Sequence, residues 1–452
     1  MHAPDRRRFL HGLAATAAGV PLAACAARGA GPSPGSVPAS TPVSTEDGAA
    51  GGARAADQAA ARVERFAHLA DQRGSVAPIA PSERIARRAR LSRTLAAAGL
   101  DAILVEPGAT LTWLTGVTWG RSERLFAYLG TADGEHRWLV PAFEEGRARR
   151  QIDAQGGPGG ALITWQEHER AERVLAAYLA ERRIERVAME PQLRFVFADR
   201  LGAAHGRERI VAGHTIVFAL RAQKDAHELA ILRRASELTQ LAIREVAATL
   251  APGDSGAEVA ARLAAAHERL GMRSPWTLAL VDAAAALPHG DDHHLTLERG
   301  SALLVDTGAS LHGYQSDTTR TWFPFAAPRA DVERAWQAVR AAQARAFETI
   351  APGVLARAVD ARARAALVES GYPGGYAALT HRLGHGIGLE GHEDPYFDGG
   401  SEVVLAPGMT LSDEPGIYVV GSFGVRIEDI VTVTETGADH FGEWQTSVRS
   451  PA

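Results

Sequence analysis

The sequence has one cysteine and one lysine, and each scarcity excludes a kind of site. Cys25 is the only cysteine among 452 residues, so the chain can form no intramolecular disulfide. Because Cys25 lies near the start, the rest of the chain has neither a cysteine zinc cluster nor a thiol nucleophile. Lys224 is the only lysine, and arginine supplies the remainder of the 48 basic side chains.

The sequence also lacks a strong excess of either charge. Its formal net charge is −5 and we find no basic domain, so we expect no nucleic-acid partner. A hydrophobic content of 46% with 22% charged residues is typical of a globular protein. The length allows two or three domains with a sizeable core.

The N-terminus has the order of residues that is typical of an export signal. Arginines at positions 6–8 precede an apolar run of about 16 residues, which is too short for a comfortable membrane span. The arginines resemble a twin-arginine signal, and the tetrapeptide ending at Cys25 resembles a bacterial lipobox. We predict that residues 1–25 are a signal and that lipidated Cys25 is the only membrane contact. The protein would then be exported to the cell envelope and held there on the periplasmic side.

Composition and pattern divide the rest of the chain into three parts. Residues 26–80 are predicted to be a flexible tether, because the segment begins as a long stretch of small and polar residues. Residues 81–220 alternate helix and strand patterns, starting with a helix capped by Ser82, and predict an α/β domain. Residues 221–452 begin with a charged amphipathic helix and continue with helices and apolar strands, including one strand over 423–433.

Four acids of the last segment lie in or beside apolar strands, where an unpaired carboxylate is costly. Arg320 and Arg426 are the arginines close to them in sequence. One interpretation is that the acids form ordinary ion pairs or lie at the ends of strands. Two divalent cations are the other, because their charge would balance four carboxylates. A set rich in oxygen with one imidazole and no sulfur suits Mn²⁺, Co²⁺ or Zn²⁺. The candidate metal ligands are Asp306, Asp317, His385, Glu414 and Glu428.

Five motifs in this order carry a resemblance to a known family: VDTG, SDTTRT, GHGIG, EPGIY and VRIED. They resemble the ligand motifs of the metal-dependent aminopeptidase P, prolidase and methionine aminopeptidase family, which has the pita-bread fold. The part before residue 221 resembles the N-terminal domain of the aminopeptidase P, prolidase and creatinase branch. The resemblance implies an α/β N-terminal domain followed by an α+β pita-bread catalytic domain, and a homodimer.

The resemblance also implies a role for each site residue. Asp306 would chelate one metal, Asp317 and Glu428 would bridge two, and His385 with Glu414 would complete the other. Mn²⁺ is the first expectation for both cations, with Co²⁺ or Zn²⁺ as alternatives.

The remaining expectations concern residues that meet the substrate. His289, His381 and His392 would line the substrate pocket. His381 could instead support a metal ligand without contacting the metal itself. Glu414 is the candidate proton shuttle. Arg426 is expected either to bind a substrate carboxylate or to orient the metal ligands.

The function that the resemblance implies is hydrolysis of the peptide bond before proline by a hydroxide held between two metals. Whether the enzyme is an Xaa-Pro aminopeptidase or an Xaa-Pro dipeptidase stays open, and a proline-containing peptide is the expected partner. Two alternatives remain. One is a creatinase-like hydrolase of C–N bonds that needs no metal. The other is a catalytically inactive, envelope-anchored binding protein on a peptidase fold.

Overall fold

The computed structural model describes residues 65–154, 159–291 and 294–452. The predicted signal over 1–25, with Cys25, and most of the predicted tether lie outside these residues. Within the described ranges, no helix combines the length and the apolar character that crossing a membrane requires. The α-helices of the described residues are α1 Pro81–Ala97, α2 Ala109–Thr115, α3 Glu145–Ala154, α4 Ala171–Glu181, α5 Phe195–His205, α6 His214–Arg221, α7 Ala226–Ala247, α8 Gly256–Arg269, α9 Ala330–Phe347 and α10 Ala356–Glu369.

The strands of the described residues form three larger sheets and one hairpin. Sheet A consists of β1 Ala102–Val105, β2 Ala127–Thr131, β3 His136–Pro141, β4 Ala161–Trp165, β5 Val187–Met189 and β6 Ile210–Ala212. Sheet B consists of β7 Arg273–Val281, β8 Leu303–Leu311, β9 Tyr314–Gln315 and β10 Thr318–Trp322. Sheet C consists of β11 Gly384–Gly386, β12 Glu393–Phe397, β13 Thr410–Asp413, β16 Asp429–Val433 and β17 Ala438–His440. The separate hairpin consists of β14 Gly416–Val419 and β15 Phe423–Arg426.

Sheet A is a mixed sheet with the strand order β4-β3-β2-β1-β5-β6. Its central strand β1 is buried on both faces, because Ile103 and Val105 pack in one apolar cluster while Ala102 and Leu104 pack in another. Strands β2 and β3 form the hairpin predicted around residues 132–135. The expected α/β architecture of the N-terminal part is therefore present.

Sheets B and C form the second half together with four helices. Helices α7 and α8 contribute to one apolar cluster with sheet B, and α9 and α10 contribute to another with sheet C. A backbone bridge joins the two sheets, since the Glu428 N–H donates to the Thr319 carbonyl at 3.0 Å. The expected α+β architecture is confirmed, and the strands that carry the motifs come from both sheets.

Two details of the sequence analysis are wrong. Helix α1 begins at Pro81 with Ala80 as its N-cap, not Ser82, because Pro81 fits the first helical position and the Glu83 carboxylate accepts the Ala80 N–H at 2.6 Å. The single strand predicted over 423–433 is two strands, β15 and β16, which belong to different sheets. An uninterrupted apolar pattern does not reveal a change of partner strand.

Candidate metal centre

A cavity of about 530 Å³ opens beside sheets B and C. Every residue predicted for the site lines it, namely Asp306, Asp317, His385, Glu414, Glu428, His289, His381, His392 and Arg426. The lining also includes Trp276 and Arg382, which the sequence analysis did not single out. The structure therefore brings together side chains that are far apart in the sequence, such as Trp276 and Glu428, which are separated by 152 positions.

The five predicted ligands form two overlapping triads in this cavity. Ligand atoms of Asp306, Asp317 and Glu428 lie within 4.8 Å of one another, and so do those of His385, Glu414 and Glu428. The His385 Nε2 atom lies 3.7 Å from Asp317 Oδ2 and 3.5 Å from Glu414 Oε1. Glu428 belongs to both triads, which is the geometry that two neighbouring cations with a shared carboxylate require.

Sheet B places the two aspartates. Strands β8 and β10 are antiparallel, with Asp306 opposite Thr319, so that Asp317, the residue just before β10, returns to the same region. Glu428 reaches them because the bridge to Thr319 anchors its backbone, and the Thr319 hydroxyl donates to Glu428 Oε2 at 2.7 Å. The residue Thr319 was not predicted, although it lies two positions after Asp317 in the motif SDTTRT.

Sheet C places the imidazole, and two glycines make its position possible. A Cβ atom at Gly384 would lie 1.9 Å from the Ser412 carbonyl oxygen, and one at Gly386 would lie 2.3 Å from that of Glu393. Strand β11 can therefore fit between β12 and β13 only without side chains at these positions. Ser412 adds a further support, because its hydroxyl accepts the His385 N–H at 3.0 Å and donates to Glu414 Oε1 at 3.1 Å.

The side chains present fit a pair of divalent cations. Three buried oxygens, one each on Asp306, Asp317 and Glu428, have no hydrogen-bond partner among the described residues, and all three side chains belong to the triads. The His385 Nδ1 atom donates to the Gly386 carbonyl at 3.1 Å, which leaves the lone pair of Nε2 directed at the carboxylates. Unpaired acceptors and a free imidazole nitrogen in one buried cluster are what hard divalent cations bind.

Burial and mutual repulsion alter the ionisation of this cluster. Burial raises the pKa of Asp317 well above its usual value, and the Glu428 charge adds to the effect. Burial also raises the pKa of Glu428 well above normal, with Glu414 contributing, and raises the pKa of Glu414 to about 8. For His385, burial lowers the pKa to about 3, so the imidazole is neutral and can bind a metal.

The guanidinium of Arg426 forms hydrogen bonds within the protein from all three of its nitrogens. Its Nη2 donates to Asp306 Oδ2 at 2.7 Å, its Nη1 donates to the Tyr418 hydroxyl and the Pro288 carbonyl at 3.0 Å each, and its Nε donates to Thr319 at 3.2 Å. The guanidinium is buried, with 3% of its side chain exposed. These bonds favour the second of the two expected roles, orientation of the ligand Asp306.

His381 contacts the same Tyr418 hydroxyl as Arg426. Its Nε2 lies 2.8 Å from the Tyr418 oxygen and its Nδ1 lies 2.7 Å from the Arg382 carbonyl. Burial and the nearby Arg426 charge lower its pKa to about 4. Tyr418, which sequence reasoning missed, therefore connects His381 to the guanidinium that holds Asp306.

Among the described residues, Arg320 forms no ion pair with a predicted ligand, although its Nη1 donates to the Glu428 backbone carbonyl at 2.7 Å. It forms a buried ion pair with Asp429 at 2.6 Å, and Gln343 donates to the other oxygen of Asp429 at 3.0 Å. Asp413 is also buried, and burial together with the Asp429 charge raises its pKa well above normal. These two acids adjoin Glu414 and Glu428 in sequence but belong to neither triad.

The only lysine supports the loop that carries His392. The His392 ring stacks on the His385 ring with 3.7 Å between centroids. In the next residue, Glu393, Oε1 lies 2.9 Å from Lys224 Nζ and Oε2 lies 2.5 Å from Arg221 Nη2. Lys224 and Arg221 hold the pKa of Glu393 below its usual value against the opposing effect of burial. The backbone beside His392 is therefore fixed by a buried ionic contact.

Comparison with known proteins identifies the family of both parts of the chain. Residues 230–435 match metallopeptidase family M24, and residues 87–223 match the creatinase/prolidase N-terminal domain. The chain is 35% identical over 367 residues to the probable dipeptidase PepE of Mycobacterium bovis, which covers 79% of this chain and 94% of that protein. It is 32% identical over 272 residues to the Xaa-Pro dipeptidase of Pyrococcus horikoshii, which covers 60% and 76% of the two chains.

A solved structure extends the comparison to the fold. The crystal structure of dipeptidase PepE from Mycobacterium ulcerans matches with a TM-score of 0.76 at 30% identity, covering 83% of this chain and 100% of that one. The expected fold, an α/β N-terminal domain followed by a pita-bread domain, is thereby confirmed.

We predict that Glu428→Gln removes metal binding but stabilises the metal-free protein. The amide can still accept the Thr319 hydroxyl, and it cannot acquire the buried charge that the Glu428 carboxyl takes on, against its neighbours, as the pH rises through its raised pKa. Metal per chain should fall from two to below one, and the melting temperature without metal should exceed that of the wild type increasingly as the pH is raised. The control is Asp439→Asn at an exposed ion pair, which should change neither quantity. A Glu428→Gln protein that keeps both metals would contradict the ligand assignment.

We also predict that metal binding releases protons. The raised pKa values of Asp317, Glu414 and Glu428 mean that the metal-free cluster holds protons near neutral pH, and a cation must displace them. The apparent affinity for Mn²⁺ should therefore increase as the pH rises from about 6 to about 8. Calorimetric titrations in two buffers with different ionisation enthalpies measure the protons released. No release, or an affinity independent of pH, would show that the cluster is already ionised.

Proposed function

This chain belongs to metallopeptidase family M24, and from that premise we propose that it hydrolyses the peptide bond before proline. The observation that carries the proposal is the convergence of five predicted ligands in one cavity. Three of them have a buried oxygen without a hydrogen-bond partner in the described part of the chain. The names of the relatives support it, because they include a probable dipeptidase and an Xaa-Pro dipeptidase. Family M24 depends on two divalent metal ions, and we propose Mn²⁺ as the metal, with Co²⁺ or Zn²⁺ as alternatives.

The residues of the chain divide the work. Asp306, Asp317, His385, Glu414 and Glu428 would hold the cations. When bound, the cations supply a water of lowered pKa and polarise the scissile carbonyl. The bond before proline is a tertiary amide without an N–H. As in the hydrolysis of any amide, its nitrogen must receive a proton to leave as an amine. Glu414, oriented by Ser412, is the carboxyl proposed to carry that proton, and His289 and His392 line the cavity where the carbonyl oxygen becomes negative.

The alternatives explain less of the cluster. A creatinase-like hydrolase without metal would leave the buried carboxylate oxygens of Asp306, Asp317 and Glu428 uncompensated. An inactive binding protein would not need hydroxyls that orient the carboxylates, yet the Thr319 hydroxyl bonds Glu428 and the Ser412 hydroxyl bonds Glu414. A homodimer is proposed on the resemblance alone.

The test is a metal-reconstitution assay. The purified chain is stripped with a chelator, reloaded with Mn²⁺, Co²⁺ or Zn²⁺, and supplied with Ala-Pro, Ala-Pro-Ala and Ala-Ala. We expect two metals per chain and cleavage of the proline peptides with little cleavage of Ala-Ala. Two metals without any cleavage would favour the binding protein, and cleavage by metal-free protein would favour the creatinase-like hydrolase.

We further propose that the chain is exported in the folded state and anchored by lipidated Cys25. A twin-arginine route would permit the metals to be loaded before export. Replacing Arg6, Arg7 and Arg8 by lysine should leave unprocessed precursor inside the cell, as judged by fractionation and mass. Cys25→Ala should prevent lipidation without changing turnover. Normal export of the triple variant would contradict the twin-arginine signal.

Lys224→Met should lower turnover without removing the metals. The change frees one oxygen of Glu393 and loosens the loop that carries His392. Because small displacements of a positioned group are costly, we expect kcat to fall by about tenfold or more. Lys224→Arg should recover most of the activity, and Arg345→Met, at an exposed pair, should have no effect. Loss of metal in Lys224→Met would instead mean that the contact supports the ligands themselves.

A further inference from the structure

Three buried polar side chains that the proposed chemistry does not use form a chain behind the aspartates. His267 of α8, Thr239 of α7 and Ser316 are each at most 1% exposed, in the part of the domain where α7 and α8 pack with sheet B through one apolar cluster. The His267 Nε2 atom lies 3.2 Å from Thr239 Oγ1, and Thr239 Oγ1 lies 2.7 Å from Ser316 Oγ. Because polar groups in an apolar core are costly unless they are paired, each of the three depends on its neighbours.

The hydrogen bonds of His267 give this chain a direction. Its Nδ1 atom lies 2.9 Å from the Leu263 carbonyl, which can only accept, so Nδ1 carries the hydrogen. Burial lowers the pKa of His267 to about 4, so the ring is neutral and Nε2 is an acceptor. Thr239 therefore donates to His267, and its oxygen can accept the Ser316 hydroxyl. This arrangement pairs all three side chains without placing a charge in the core.

Ser316 joins the chain of side chains to strand β8. The Ala309 N–H donates to Ser316 Oγ at 3.1 Å, and the Ser316 N–H donates to the Ala309 carbonyl at 2.9 Å. A Cβ atom at Gly308 would lie 1.9 Å from the Ser316 carbonyl oxygen, so the two backbones are in close contact. Ser316 is therefore held by β8 on one side and by Thr239 on the other, and the next residue is Asp317.

The carboxylate of Asp317 has little support of its own. Its Oδ1 has no hydrogen-bond partner in the described part of the chain, and its Oδ2 lies 3.7 Å from His385 Nε2. Glu428, by contrast, accepts the Thr319 hydroxyl at 2.7 Å. Among the described residues no hydroxyl orients Asp317 in this way, so the position of its backbone sets the position of its carboxylate.

We propose that His267, Thr239 and Ser316 act together as positioning residues that place Asp317 for metal binding. The inference rests on the proposed function only through the assignment of Asp317 as a metal ligand. Removal of a group that orients a metal ligand without touching the metal typically lowers metal affinity by about 10- to 100-fold. Thr239 is the link through which α7 and α8 reach Ser316, so its hydroxyl should have an effect of this size.

The experiment removes that middle hydroxyl. Thr239→Val keeps the shape of the side chain but leaves Ser316 without its partner and His267 Nε2 unpaired. With the chelator-stripped full chain, we expect calorimetry to give an Mn²⁺ affinity about 10- to 100-fold below that of the wild type. Thr239→Ser keeps the hydroxyl and should retain the wild-type affinity. The matched control is Ser236→Ala, which removes a buried hydroxyl of the same helix that bonds the Leu232 carbonyl at 3.1 Å, and which should leave the affinity unchanged.

A double variant separates positioning from stability. Thr239→Val alone should lower the melting temperature without metal, because it leaves a buried imidazole nitrogen unpaired. Adding His267→Leu removes that nitrogen, so the melting temperature should recover toward the wild-type value. The Mn²⁺ affinity should stay low in the double variant, because Ser316 still lacks the Thr239 hydroxyl.

The outcomes that would overturn the proposal differ from those that would overturn the proposed function. Wild-type Mn²⁺ affinity in Thr239→Val, or an equal loss in Thr239→Ser or Ser236→Ala, would show that the chain does not position Asp317. Recovery of affinity in step with the melting temperature in the double variant would show a structural role alone. A wild type that binds no Mn²⁺ would overturn both proposals. A wild type that binds two metals without cleaving any proline peptide would contradict the proposed function, while reduced affinity in Thr239→Val would still support this inference.

Discussion

The repulsion among buried carboxylates is the constraint on which the rest of this structure depends. Asp306, Asp317, Glu414 and Glu428 share one cavity, and Arg426 reaches one of them with its guanidinium at 2.7 Å. One positive side chain cannot balance four acids, and burial magnifies the imbalance. The cluster is therefore a poor structural core and a good receptor for cations.

Meeting that constraint requires two sheets. The aspartates come from sheet B, His385 comes from sheet C, and Glu428 lies at the backbone bridge between them. Hydroxyls of Thr319 and Ser412 orient the carboxylates, while Gly384 and Gly386 let the neighbouring strands approach. A site assembled across two sheets can hold its ligands rigidly, because each strand is also part of a packed core.

Two groups of the cavity wall, His392 and Arg382, are supported by different contacts from those that hold the predicted ligands. The loop of His392 is anchored through Glu393 to Lys224 and Arg221, and the backbone of Arg382 is anchored through the buried ion pair of Arg364 with Asp360. The supports of these wall groups are therefore separate from those of the triads.

By itself the sequence determined the elements and the candidate ligands. An acid such as Asp306 inside an apolar run is a local signal, since its burial follows from its neighbours and its cost follows from its charge. The partners of these residues were decided by tertiary structure alone. The division of the strand predicted over 423–433 into two was one such result. The others are contacts between residues that no sequence pattern relates: Arg426 bonds Asp306 and Tyr418, and Lys224 contacts Glu393. Hydrophobic periodicity tells which side of an element is buried, but the contact between two buried polar groups depends on how the elements pack.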